Sequence, residues 1–159
     1  MKSPLTTLCY LERDGMYLMM HRTKKEQDIS QGKWLGVGGH FEKNESPEDC
    51  MKREVWEETG FIPLAWQLRG LVTFITDTTE AEYMHLFTVT QWEGEQLPEC
   101  NEGDLVWVKK EEVPHLNVWE GDRLFLRLLA EDVPFFSMKL SYIGDRLVEA
   151  TLNGEAYPI

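Results

Sequence analysis

Positive charge is scarce in this chain. Sixteen Lys and Arg stand against 28 Asp and Glu, a formal net charge of −12. A protein that grips duplex DNA draws most of its affinity from Lys and Arg on phosphates, so the balance argues against duplex nucleic acid as a partner. A small anionic substrate stays admissible, provided that a divalent cation held by carboxylates reverses the local field. Cysteine is scarce as well. Cys9, Cys50 and Cys100 are far apart, odd in number and include no CxxC pair, which speaks against a disulfide framework or a zinc site and for reduced thiols in the cytoplasm. No apolar run approaches the ~20 residues needed to cross a bilayer. The opening MKSPLTTLCYLERDG has a single Lys and no extended apolar stretch, so neither a secretory signal nor a membrane partner is expected. Repeats, low-complexity tracts and Pro-, Gly- or Ser-rich linkers are missing too. What is present, 159 residues of which 42% are apolar, predicts one domain spanning 1–159 with a real core.

Local patterns give the elements. The runs TTLCYLE and MYLMMHR, joined around Arg13-Asp14-Gly15, predict a β-hairpin. TKKEQDISQGKW reads as a loop and WLGVGGHFEKNE as a short strand entering a glycine-rich turn. Ser46-Pro47 with Asp49 has the form of a helix start, and the helical pattern runs to Thr59 before Gly60 stops it. QLRGLVTFIT, EYMHLFTVTQWEG and DLVWVKKEEV read as strands. GDRLFLRLLAED places Leu124, Phe125, Leu128 and Leu129 at helical spacing, and the tail forms a last hairpin around Gly144-Asp145. Strands flanked by two main helices predict an α+β fold, an α/β/α sandwich around a mixed sheet.

On the first helix Glu54, Glu57 and Glu58 fall at i, i+3 and i+4, within an arc of about 100°. Like charges this close repel by a few tenths of a kcal/mol per exposed pair. A hard cation such as Mg²⁺ or Mn²⁺ compensates them, because it prefers oxygen ligands and keeps waters for a phosphate to share. A solvated acidic face is the competing reading.

The surrounding pattern decides between them. Gly39, Glu45, Arg53-Glu54-Val55, Glu57-Glu58 and Gly60-Phe61 match the signature GX5EX7REUXEEXGU of the Nudix hydrolases at every defined position, so the chain resembles that family. The resemblance implies the Nudix α/β/α sandwich and hydrolysis of a phosphoanhydride in a small nucleotide. It implies Mg²⁺, with Mn²⁺ possible, on Glu54, Glu57, Glu58, Glu102 and the Gly39 carbonyl. It implies that Arg53 orients the glutamates, that Glu45 holds the loop, and that the general base is a signature glutamate or a loop acid, for which Glu102 is placed as in similar enzymes. The segment HLNVWEGDRLFLRLLAEDVPFFSMKL resembles the C-terminal helix region of the MutT-type 8-oxo-dGTP diphosphatases. That likeness puts Trp119 against a purine and Asp122 on its edge, with Arg22 near the phosphates. The chain departs from those enzymes at three points: Gly121 stands where one of two adjacent acids is found, Leu35 where a base-reading Asn is found, and His40 where Lys is common. The leading expectation is a Mg²⁺-dependent nucleoside triphosphate pyrophosphohydrolase, monomeric or homodimeric. ADP-ribose, a nucleotide sugar or a dinucleotide is the alternative substrate, and a catalytically silent nucleotide-binding module is a third reading.

Overall fold

Strand alternation decides where the two helices pack. In β1 (Leu5–Arg13) Leu8 and Tyr10 join one apolar cluster while Cys9 and Leu11 join another, and in β2 (Met16–His21) Tyr17 and Met19 part from Leu18 and Met20 in the same way. Successive side chains of a strand point to opposite faces, so one sheet carries two cores. Helix α1 (Pro47–Thr59) covers one face with Met51 and Val55. Helix α2 (Glu120–Ala130) covers the other with Leu124, Phe125, Leu128 and Leu129. Each such fully buried side chain contributes about 1.5–3 kcal/mol. The computed structural model describes residues 2–23 and 29–159, and it has the α/β/α sandwich and mixed sheet expected from sequence.

Further strands complete the sheet: β3 (Trp34–Leu35), β4 (Ile62–Ile75), β5 (Glu82–Glu93), β6 (Asp104–Lys109), β7 (Phe136–Ile143), β8 (Arg146–Leu152) and β9 (Glu155–Ala156). Their order is β3-β2-β1-β5-β4-β7-β8-β9, with β6 paired to β2. The pairs β1–β5 and β4–β7 are parallel and the others antiparallel. Three expectations needed adjusting. β4 starts at Ile62, directly after helix α1, and takes its extra length with register shifts against β5. Val113–His115 forms a 3-10 turn that no periodicity announced. Of the expected loop TKKEQDISQGKW, residues 24–28 lie outside the described residues and Trp34 already belongs to β3. No described helix is long and apolar enough to cross a membrane.

The site forms where the first hairpin splits. β1 and β2 pair only at Glu12–Tyr17 and Arg13–Met16 before diverging. The glycine-rich segment enters the gap and runs beside β1: Cys9 N–H donates to Val37 O, and Thr7 N–H donates to Gly39 O at 2.9 Å. A Cβ on Gly38 would stand 2.0 Å from the Thr7 carbonyl oxygen, a backbone contact that only glycine permits. Ser46 then starts α1 with a complete capping box, accepting from Asp49 N–H while Asp49 accepts from Ser46 N–H, each at 3.0 Å.

Ser46→Ala is expected to cost about 1 kcal/mol. Gly38→Ala is expected to cost about 3 kcal/mol by forcing two backbones apart. Urea unfolding checks both as falls in midpoint at unchanged slope.

Candidate active site

Arg53 gathers the carboxylates of the loop–helix unit. Its Nε and Nη2 hold Glu45 in a bidentate pair at 2.7 and 2.9 Å, and Nη2 also donates to the His40 carbonyl at 3.0 Å. Nη1 reaches Glu54 Oε1 at 2.7 Å and Glu57 Oε2 at 3.2 Å. One guanidinium therefore ties the loop to α1 and spans two of the three helix acids, a role that its planar fork of five donors suits. Glu45 is fixed further by the Glu42 N–H at 2.7 Å, and the hydrogen bonds from Arg53 hold its carboxyl below the usual carboxylate range.

Glu58 lies deeper, only 5% exposed. Its Oε2 accepts from Gly38 N–H at 2.8 Å, and its Oε1 is buried without a hydrogen-bond partner. Burial first, and the adjacent Glu102 carboxyl second, push the Glu58 pKa well up. Glu54 is raised as well, chiefly by burial, against the opposing pull of Arg53. Glu102 stands 3.9 Å from Arg22 Nη2, which brings two residues 80 positions apart in the sequence to one wall.

These groups border a cleft of ≈ 1130 Å³. Arg22, Leu35, Gly39, Arg53, Glu54, Glu102, Trp119 and Asp122 all line it, so the carboxylate end and the aromatic end share one space. Glu45, Glu57 and Glu58 stand on the loop and on α1 behind that lining, and Gly60 is remote, closing α1 at φ 83° with its N–H on Trp56 O. The cleft wall carries six acids (Glu42, Glu54, Glu80, Glu82, Glu102, Asp122) against four cationic side chains (Lys2, Arg22, Lys43, Arg53). With the Asp122 carboxyl largely neutral the wall is close to balanced, so it offers an anionic substrate little net attraction unless a cation enters with it.

The chemistry of the donor set fits a hard cation. Glu54, Glu57, Glu58 and Glu102 offer oxygen atoms, Glu58 Oε1 has no donor directed at it, and a Cβ on Gly39 would collide with the Glu54 carboxylate at 2.7 Å. As they stand, no three such groups among the described residues form a cluster ready to hold an ion. Arg53 Nη1 occupies the position between Glu54 and Glu57, so a cation competes with the guanidinium for them. The Gly39 carbonyl already accepts from Thr7 N–H at 2.9 Å and, more weakly, from Cys50 Sγ at 3.6 Å, so a further partner competes with the thiol for it.

At the other end, Trp119 is both a cleft wall and part of the core. It is 3% exposed, meets Phe74 and Tyr142 edge-to-face at 5.2 and 5.0 Å, and donates from Nε1 to Ser30 Oγ at 3.0 Å. One turn into α2, Asp122 is likewise 3% exposed, and its Oδ2 has no partner. Burial pushes its pKa up to about 8, against the lowering effects of Lys33 and Arg123. The acid is thus mostly protonated at neutral pH and can donate as well as accept. Sequence reasoning missed Thr6, Phe74 and Met84, which also line the cleft. They sit in strands whose alternation marks core positions, and no local signal separates a core side chain from a cleft wall. The Thr6 hydroxyl is buried and without a partner.

A family model described as NUDIX domain matches residues 2–129. The uncharacterised Nudix hydrolase YvcI of Bacillus subtilis is 32% identical over 120 residues, covering 73% of this chain and 72% of its own length. The oxidized purine nucleoside triphosphate hydrolase of Danio rerio is 28% identical over 152 residues, covering 95% of both chains. The crystal structure of the MutT protein of Bacillus halodurans superposes with a TM-score of 0.84 at 28% identity, covering 95% of this chain and 98% of its own.

The raised acids carry a stability cost that grows with pH. Asp122 binds its proton more tightly folded than unfolded, so stability is lost as pH rises from the ordinary Asp range, about 3.9, towards the folded midpoint. Asp122→Asn is expected to raise Tm by an amount that grows up to about pH 8 and is level above it. Glu58→Gln is expected to show the same sign, with the gain beginning near pH 4.3, the ordinary Glu value. Thermal melts of the three proteins across pH, without divalent cations, measure both gains.

Proposed function

The chain belongs to the Nudix family, and on that premise we propose that it hydrolyses a purine nucleoside triphosphate, of the oxidised 8-oxo-dGTP type, to the monophosphate and pyrophosphate. The observation that carries this reading is the single cleft shared by Glu54, Glu102, Trp119 and Asp122. The residues of this chain divide the work. Glu54, Glu57, Glu58 and Glu102 would hold Mg²⁺ or Mn²⁺, and the Gly39 carbonyl is a further oxygen on that side. When bound, the cation neutralises diphosphate charge and acidifies water.

Arg53 keeps the loop carrying Gly39 and His40 against α1, so the acids meet the reacting phosphate in a fixed geometry. Glu102 lines the cleft whereas Glu58 lies behind it, which makes Glu102 the acceptor of the proton as the water oxygen bonds to phosphorus and the anhydride P–O bond breaks. Arg22, beside Glu102, faces the phosphates. Trp119 offers the indole against the purine, and Asp122 meets the base edge with its unpartnered oxygen. Leu35 supplies shape without a hydrogen bond, so base discrimination rests on Asp122 and the Thr6 hydroxyl. The Danio rerio relative, named for oxidised purine nucleoside triphosphates and aligned over 95% of this chain, supports the same substrate class.

A panel of nucleoside triphosphates, ADP-ribose, nucleotide sugars and dinucleotides tests the reading. The expected result is the highest kcat/KM on an oxidised purine triphosphate, and a preference for ADP-ribose would replace it. Glu57→Gln and Glu102→Gln are expected to lower kcat by about 100-fold or more. The wild-type KM is expected to rise as pH passes about 8, where Asp122 loses its proton. Asp122→Asn, which keeps a donor at every pH, is expected to remove that rise.

A further inference from the structure

The aromatic end of the cleft leans on a residue that does not line it. Lys33 Nζ stands 4.9 Å from the centroid of the Trp119 ring, over its face. Trp119 borders the cleft and Lys33 does not, so the ammonium backs the indole from outside. The backbone there is locked: Lys33 N–H donates to Ser30 O, its carbonyl accepts from Arg22 N–H, and Trp34 N–H donates to Asn117 O, each at 2.9 Å. Asn117 fastens the other side, accepting from Lys33 Nζ at 3.5 Å and donating to Gly32 O at 3.1 Å. The Ser30–Trp34 strap and the segment leading into α2 are thus stitched together, with Ser30 Oγ on the indole N–H.

Among the described residues, four charged or titratable groups act on the Asp122 carboxyl: Lys33 from the strap, Arg123 from α2, Tyr10 from β1 and Tyr142 from β7. Tyr10 and Tyr142 are neutral phenols at physiological pH, and burial pushes both further up. Arg123 is engaged with the Pro114 and Leu116 carbonyls at 2.7 and 3.4 Å. Lys33 is the larger of the two cationic influences on Asp122.

We propose that Lys33 is a positioning residue for base recognition, which from outside the cleft backs the Trp119 indole and sets the field in which Asp122 presents its carboxyl. This rests on the purine nucleotide reading above. A cation over an indole face is attracted by the ring quadrupole and restrains its tilt. The same charge favours the ionised form of Asp122, so Lys33 also governs the balance between the donating and accepting forms of that acid. A base edge offering acceptors and one offering donors respond to that balance in opposite directions.

The test compares Lys33→Gln and Lys33→Arg with the wild type. Carboxyl ¹³C NMR, assigned with Asp122→Asn, follows Asp122 in the ligand-free protein, while kcat and KM for 8-oxo-dGTP are measured across pH. Lys33→Gln is expected to move the Asp122 midpoint and the rise in KM to higher pH. It is also expected to raise KM about fivefold at neutral pH with kcat unchanged. Lys33→Arg is expected to keep both near wild type. An unmoved Asp122 titration in an active Lys33→Gln enzyme, or equal behaviour of the Gln and Arg variants, overturns the role of Lys33. A wild-type protein without purine triphosphate activity overturns the reading beneath it, a result separate from the NMR titration.

Discussion

The bidentate pair between Arg53 and Glu45 is the interaction on which the rest of the site depends. It joins the glycine-rich loop to α1, and the same guanidinium restrains Glu54 and Glu57. Three acids on one helix face repel each other, and Glu58 is also buried, where an unpaired charge is costly. The structure answers in two ways: the Arg53 guanidinium spans the outer acids, and burial beside Glu102 raises the pKa of the inner one. The guanidinium thus takes the place between Glu54 and Glu57 that any other cation would have to contest.

That gathering has a backbone cause. β1 leaves β2 after two residue pairs, and the opening is filled by a segment that must come within backbone contact of β1. Glycine at position 38 makes the approach possible, and the approach places the Gly38 N–H on Glu58. Loop, strand and helix therefore meet at one point, and the geometry of the acids follows from sheet topology as much as from helix spacing.

The two ends of the cleft use burial differently. Glu58 and Asp122 are both carboxyl groups raised by desolvation. Glu58 faces another acid, Glu102, which adds to the effect of burial. Asp122 is raised by burial alone, against the opposing charges of Lys33 and Arg123. The same physical effect acts on both acids, beside a second carboxyl at one end and beside Lys33 and Arg123 at the other.

By itself the sequence determined what local rules carry. The Ser46 cap, the Gly60 stop, the spacing of Glu54, Glu57 and Glu58, and the alternation that puts a helix on each face of the sheet all depend on residues within a few positions of one another. The loop–helix unit was legible for that reason, while the loop-holding role of Glu45 came from the resemblance and its partners, Arg53 and the Glu42 N–H, from the structure. Only the tertiary structure decided what depends on distant segments meeting. Glu102 reaches Glu58 through the β2–β6 pairing, Trp119 and Asp122 reach the acids through the packing of α2, and Thr6, Phe74 and Lys33 acquire their places from the strands and strap around them. Burial of Asp122 is likewise a property of the assembled core. The resemblance alone suggested that an acid at this position can carry a proton; the burial that raises the Asp122 pKa is visible only in the fold.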